Sequence, residues 1–131
     1  MIQFNIPRNS FSQATKGETG RAGETLAVKF LEQKGFRLIK RNHRIRGGEL
    51  DLIMENDDIM IFVEVKTRTT ANFGEPEDSL TPVQTRKIIR AILHWLGENP
   101  AKKPWRCDLV GIRFVSPLRA NIKHIPNILL I

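Results

Sequence analysis

Gly48-Glu49-Leu50-Asp51-Leu52-Ile53-Met54-Glu55, then Asn56-Asp57-Asp58, then Ile59-Met60-Ile61-Phe62-Val63-Glu64-Val65-Lys66-Thr67 is the stretch that decides the fold. Two short apolar runs around an Asn/Asp turn read as a hairpin over Glu49–Glu55 and Ile59–Thr67. The second run is apolar on both faces from Ile59 to Val63, which predicts a central strand covered on both sides. Side chains alternate along a strand, so Met60, Phe62, Glu64 and Lys66 share one face, with the last two about 7 Å apart. Asp51, flanked by leucines, and Glu64 are equally far from the centre of the turn. Pairing therefore sets them side by side, within ~5.5 Å at their α-carbons. Taking unpaired charge out of water costs several kcal/mol per group, so these side chains need a partner. Two solutions are open. A hard divalent cation, Mg²⁺ or Mn²⁺, satisfies two converging carboxylates, activates water and clamps a phosphate oxygen; Lys66 then orients the water or steadies developing negative charge. Alternatively, Asp51 or Glu64 forms an internal ion pair with Lys66.

Moving outward, Phe36–Arg46 is a basic strand carrying Arg37, Lys40, Arg41, Arg44 and Arg46, joined through the Gly47-Gly48 turn to the hairpin. The three strands form an antiparallel meander. Upstream, Thr15-Lys16-Gly17-Glu18 has capping-box spacing, and Ala22, Leu26, Ala27, Phe30 and Leu31 make an amphipathic helix that stops at Lys34-Gly35. Residues 1–14 read as a loosely held arm, leaving 15–131 as a single domain. Downstream, Arg68–Leu80 is a loop, and Thr81-Pro82-Val83-Gln84 starts a second helix. Its buried stripe is Ile88, Ile89, Ile92, Trp95 and Leu96, and Gly97 and Pro100 stop it. Arg106–Val115 is a further strand, and Ile122–Ile131 is expected to be a last one at an edge. The expected class is α/β, a mixed sheet flanked by helices.

The chain has 131 residues, enough for one domain with a real core. One cysteine, Cys107, excludes an internal disulfide and zinc sites of paired cysteines, and the absence of tyrosine excludes tyrosine nucleophiles. With 21 Lys+Arg against 14 Asp+Glu, the net charge of +7 points to a polyanionic partner, nucleic acid before an anionic membrane. No apolar run approaches the ~20 residues of a bilayer span. Met1–Gln13 has no secretory pattern, so a cytoplasmic protein that does not enter membranes is expected.

Asp51, a gap of twelve residues, then Glu64-Val65-Lys66 resembles the PD-(D/E)XK nuclease signature of restriction endonucleases and Holliday-junction resolvases. Closer still is the similarity to the small bacterial YraN-type proteins within that superfamily. It rests on Gly20-Arg21-Ala22-Gly23-Glu24, Gly48-Glu49-Leu50-Asp51-Leu52-Ile53, Phe62-Val63-Glu64-Val65-Lys66-Thr67-Arg68 and Arg106-Cys107-Asp108-Leu109-Val110. Leu50 stands where the wider nuclease pattern has proline. The resemblance implies a restriction-endonuclease-like αβββαβ core and metal-dependent phosphodiester chemistry. It implies Asp51, Glu64, the Val65 carbonyl and Glu24 around Mg²⁺ or Mn²⁺, with Lys66 as the water-positioning group. It also places Gln84 and Lys87 toward the site. A first-turn helix acid is an equally good structural account of Glu24, and a capping glutamine with Thr81 is the favoured account of Gln84, which could serve both roles. Arg41, Arg44, Arg46 and Arg68 are the expected backbone contacts, with DNA ahead of RNA. His43 is expected on a solvated face, Cys107 and Trp95 in the core, and the glycines near residue 20 at a close helix–sheet approach. The expected function is a Mg²⁺-dependent nuclease acting on DNA, including branched DNA. The alternative is a nucleic-acid-binding module of the same fold with weak or no catalysis. A homodimer is an option that the apolar Ile128–Ile131 tail would serve.

Overall fold

The computed structural model describes residues 2–5, 16–69 and 74–129. Its strands are β1 (Ile2–Asn5), β2 (Arg37–Ile45), β3 (Gly48–Glu55), β4 (Met60–Arg68), β5 (Trp105–Ser116) and β6 (Arg119–Ile125). They form one sheet in the order β1-β6-β5-β4-β3-β2. Helices α1 (Lys16–Gln33) and α2 (Pro82–Glu98) cover its two faces. From α1 to β5 the order is αβββαβ, the expected core.

The meander forms where its turns dictate. Gly47 (φ +79°) takes the left-handed conformation that closes β2 onto β3. The Asn56 side-chain oxygen accepts the amides of Asp58 and Ile59 at 2.9 and 2.8 Å, closing β3 onto β4. β4 then pairs in parallel with β5, which requires the crossover that α2 supplies. Thr81 caps α2 by accepting the Gln84 amide at 3.1 Å, with Pro82 in the first turn. As a central strand, β4 has both faces buried. Ile61 and Val63 pack under Leu26, Phe30 and Leu31 of α1, and Phe62 packs under Ile88 and Ile92 of α2. Gly23 lets the backbone of α1 come down onto β4, because a Cβ there would overlap Thr67 Oγ1.

The ends of the chain differ from expectation. Ile2–Asn5, assigned to the loose arm, pairs with β6 as the edge strand, while residues 6–15, with Thr15 of the expected capping box, lie outside the described residues. The last strand begins at Arg119 and is internal. Pro117 and Leu118 reverse the chain, with Ser116 Oγ accepting the Leu118 amide at 3.2 Å. It ends at Ile125 because Pro126 has no amide hydrogen and Asn127 takes φ 58°. Ile128 and Leu129 fold back onto the α2-side core, with the Ile128 amide donating to the Cys107 carbonyl at 2.8 Å. The expected loop contains a short 3₁₀ turn, Pro76–Ser79.

Fully buried Asp108 fastens that C-terminal return. Its carboxylate accepts from Arg106 Nε at 2.9 Å, His124 Nε2 at 2.8 Å and the Asn127 amide at 3.0 Å. Lys34 Nζ lies 2.8 Å from His124 Nδ1, tying in the end of α1; an ammonium only donates, so Nδ1 accepts and Nε2–H points at Asp108. Burial alone pushes the Asp108 carboxyl up, but the bonds from His124, Arg106 and Asn127 outweigh it and hold it below its ordinary 3.8. A carboxyl with a depressed folded-state pKa stabilises the fold above its ordinary value, and that stabilisation is lost as pH falls through the folded value. Asp108→Ala strands a guanidinium, an imidazole and an amide, and should cost about 3–5 kcal/mol at pH 7. Thermal melts should place the variant roughly 10–20 °C below wild type at pH 7, with the gap narrowing below about pH 4.

Candidate metal centre

β3 and β4 are in register from Glu55↔Met60 to Leu52↔Val63, and the next residues in that register are Asp51 and Glu64. Backbone pairing stops there on the β3 side, while β4 stays paired with β5 through Arg68. The Asp51 side chain fills the opening, with Oδ2 accepting the Val65 amide at 2.8 Å. The amide and carbonyl of one strand residue project to the same edge, so the Val65 carbonyl also points toward β3. Leu50 and Leu52, which strict alternation would put on one face, pack into the α2-side and α1-side cores respectively. The strand thus turns its faces at Asp51.

Glu64 is 4% exposed, and its Oε2 has no hydrogen-bond partner. Burial, then the hydrogen bond and charge of Asp51, push its carboxyl up to about 10, while Lys66 pulls the other way. At neutral pH the pair therefore retains a proton. Glu24 approaches from α1. Its Oε1 is also buried without a hydrogen bond, and Arg41 Nη2 is 3.7 Å away, an ion-pair distance. Burial, then the charge of Asp51, raises the Glu24 carboxyl against the opposing pull of Arg41 and Arg44. Lys66 lies two residues beyond Glu64 and forms no ion pair with it or with Asp51 within 4.0 Å, so the internal ion pairs left open above are not made.

These donors suit a hard divalent cation. They are carboxylate and carbonyl oxygens, two of the carboxylate oxygens are buried and unsatisfied, and Asp51 and Glu64 are held together with a shared proton between them. Among the described residues, no three His, Cys, Asp or Glu groups are set as a ready-made metal cluster. Asp51 and Glu64 would therefore be completed by the Val65 carbonyl and water, as Mg²⁺ tolerates.

The expected nucleic-acid contacts divide. Arg41 is engaged by Glu24 and by Thr25 Oγ1 at 3.3 Å, and Arg44 by Glu49 at 2.9 Å. Arg46 is exposed at the β2–β3 turn, and among the described residues Arg68 donates only to its neighbour's carbonyl, that of Thr67. Gln84 and Lys87 lie on the first turns of α2. A Cβ on Gly48 would sit 3.1 Å from the Lys87 carbonyl, so this helix abuts β3 three residues before Asp51. Gln84 serves as the amide partner of the Thr81 cap.

Three side chains escaped the sequence reading. His43, expected on a solvated face, is 4% exposed. It pairs opposite Leu50 under α2, with Lys40 Nζ 3.1 Å and His94 3.3 Å from its ring nitrogens. Arg113 and Lys123 lie near Lys66 through strand pairings that nothing local in the sequence encodes. Cys107 is buried as expected, and burial pushes its thiol up. No helix among the described residues is long and apolar enough to cross a membrane.

Comparison with solved structures finds Pyrococcus furiosus SfsA in complex with Ca²⁺, at 20% identity and a TM-score of 0.43, covering 86% of this chain and 64% of that one. The chain thus spans slightly under two-thirds of the SfsA chain's length. Sequence relatives are nearer. A UPF0102 protein of Leifsonia xyli is 39% identical over 116 residues, covering 88% of this chain and 98% of its own. One from Geobacter sulfurreducens is 41% identical over 109 residues, covering 82% and 85%. The model of the uncharacterised protein family UPF0102 matches residues 23–112, which takes in all of β2, β3, β4 and α2 with the Asp51 and Glu64 positions. The similarity to YraN-type proteins read from four short words is that family relationship, and the chain belongs to UPF0102.

Proposed function

We propose that the protein is a Mg²⁺- or Mn²⁺-dependent nuclease acting on DNA. The observation that carries this reading is the buried, unsatisfied Glu64 Oε2 held against Asp51. Apolar replacements would be better tolerated in a core whose only task was stability. Asp51, Glu64 and the Val65 carbonyl would hold the cation, with Glu24 beside them. When bound, the cation lowers the pKa of water and draws charge from a phosphoryl oxygen. Lys66 would orient the attacking water and meet the charge that develops on the phosphate. Arg46, Arg68 and Lys87 would hold flanking phosphates, while Arg41 and Arg44 would set the charge of the acidic groups they already touch. The second reading, a nucleic-acid-binding module without turnover, is favoured by one observation: among the described residues no three acidic, His or Cys groups form a metal cluster.

Titration with MgCl₂ or MnCl₂ should raise the melting temperature of wild type, by the equivalent of about 2.7 kcal/mol at 100 times Kd, and leave Glu64→Gln unmoved. An unchanged wild-type melting temperature would reject the metal site. In EDTA, Glu64→Gln should itself melt higher than wild type. A carboxyl whose folded-state pKa is raised from 4.5 to about 10 loses folded-state stability as pH rises through that window. The amide does not titrate, so its advantage should grow from pH 5 to pH 9.

On linear, nicked and branched DNA and on RNA, Asp51→Asn should lower Mg²⁺-dependent cleavage by at least ~100-fold. Lys66→Met should reduce turnover while keeping the Mg²⁺-induced melting shift. Salt-sensitive binding of these substrates with no cleavage of any by wild type would decide for the binding module.

A further inference from the structure

Strand register places Lys66 of β4, Gly111 of β5 and Lys123 of β6 on one rung of the sheet, and Arg68, Arg113 and Asn121 on the next rung of the same face. That face also carries Glu64, one rung before Lys66. The side chains of these two rungs border a cavity of about 140 Å³, room for several water molecules or a phosphate group. The Pro76 turn forms the opposite wall. It seats directly on the sheet because Gly111 has no side chain, and a Cβ there would overlap the proline ring.

The cavity's charge is unbalanced. Four cationic side chains line it, against Glu75 and Asp78. Asp78 is occupied by the Glu75 amide at 3.1 Å, and Lys123 is shared by Glu75 at 2.9 Å and Glu77 at 3.2 Å. Among the described residues, Arg113 donates to the Gly74 carbonyl alone, at 3.1 Å. Lys66, Arg68 and Arg113 have no acidic partner within 4.0 Å among the described residues. Two guanidinium forks and an ammonium around a water-sized space match the geometry of a phosphate.

We propose that this cavity is a subsite for a phosphate of a polynucleotide strand next to the one held at Asp51 and Glu64, with Arg113, Asn121 and Lys123 as its specific contacts. It rests on the nuclease-like reading of that site and adds the direction of the strand, which runs across β4, β5 and β6 rather than along β2. A polynucleotide is favoured over a free anion because the cations continue in line from Lys66.

The test uses the full chain in EDTA with a fluorescein-labelled single-stranded DNA decamer, followed by anisotropy across a salt series. Arg113→Gln should weaken binding several-fold and reduce the slope of log K against log salt by about one. Asn121→Asp, which adds an anion to the cavity, should weaken it further. Folded variants with wild-type Kd and slope overturn the proposal. Should a variant not fold, amide NMR of wild type titrated with the same decamer, unlabelled, decides. Shifts at Gly111, Ile112 and Asn121 support the subsite, and shifts confined elsewhere overturn it. A parallel titration with inorganic phosphate separates the sources: a response to phosphate with none to the decamer overturns the polynucleotide assignment. The Mg²⁺ melting shift is read independently, so failure of the metal reading and failure of the subsite are distinguishable.

Discussion

The Asp51 carboxylate accepts the Val65 amide, standing in for a backbone carbonyl where β3 and β4 part. This substitution controls the rest of the site. A carbonyl would close the ladder and leave the sheet electrically neutral. A carboxylate closes it equally well at 2.8 Å but brings a full charge against Glu64, the residue beside it in register. Because β4 keeps its pairing with β5 through Arg68, the strand cannot move away to relieve the repulsion. The pair therefore retains a proton, and holding it costs folded-state stability as pH rises above the ordinary carboxyl range.

Two backbone approaches hold this arrangement in place. Gly23 lets α1 rest on β4 at Thr67, which brings Glu24 of the next position toward the acids. Gly48 does the same for α2, whose Lys87 and Ala91 backbone atoms would lie about 3 Å from a Cβ there. The apolar clusters beneath both helices make these positions rigid, since close-packed interiors do not deform gradually. The acids are therefore held by the whole sandwich rather than by their own hydrogen bonds.

What the sequence made legible follows from how local each cause is. The hairpin turns, the Thr81 cap and the Asp51–Glu64 pairing depend on residues within about fifteen positions of one another, and their chemistry can be read directly. The βββ meander is itself a local topology, so the carboxylate juxtaposition came with it. Causes spread over longer separations left no local mark. His43 is buried because α2 returns some fifty residues later to cover it. Asp108 stands in a quoted word of sequence, yet its partner His124 belongs to a strand that starts earlier than expected, just after the Pro117 reversal, and its partner Asn127 follows that strand. Arg113 and Lys123 carry no local sequence signal, because only the β4–β5–β6 register places them near Lys66.

The net charge of +7 thus has a geography that composition cannot express. On β2, the most basic segment by inspection, Arg41 and Arg44 are matched by Glu24 and Glu49. These cations hold acids near the centre in place and contribute little free field. Across the sheet, Lys66, Arg68 and Arg113 have no acidic partner among the described residues and border a cavity. A polyanion is drawn to uncompensated charge, and a cation already paired with a carboxylate must lose that partner before it can bind a phosphate. Attraction along β2 is therefore weakened by the acids that hold its arginines; among the described residues Lys66, Arg68 and Arg113 carry no such cost, whereas Lys123, shared by Glu75 and Glu77, does. Where the cations stand unmatched, rather than where they are densest in the sequence, decides which part of the sheet attracts a polyanion.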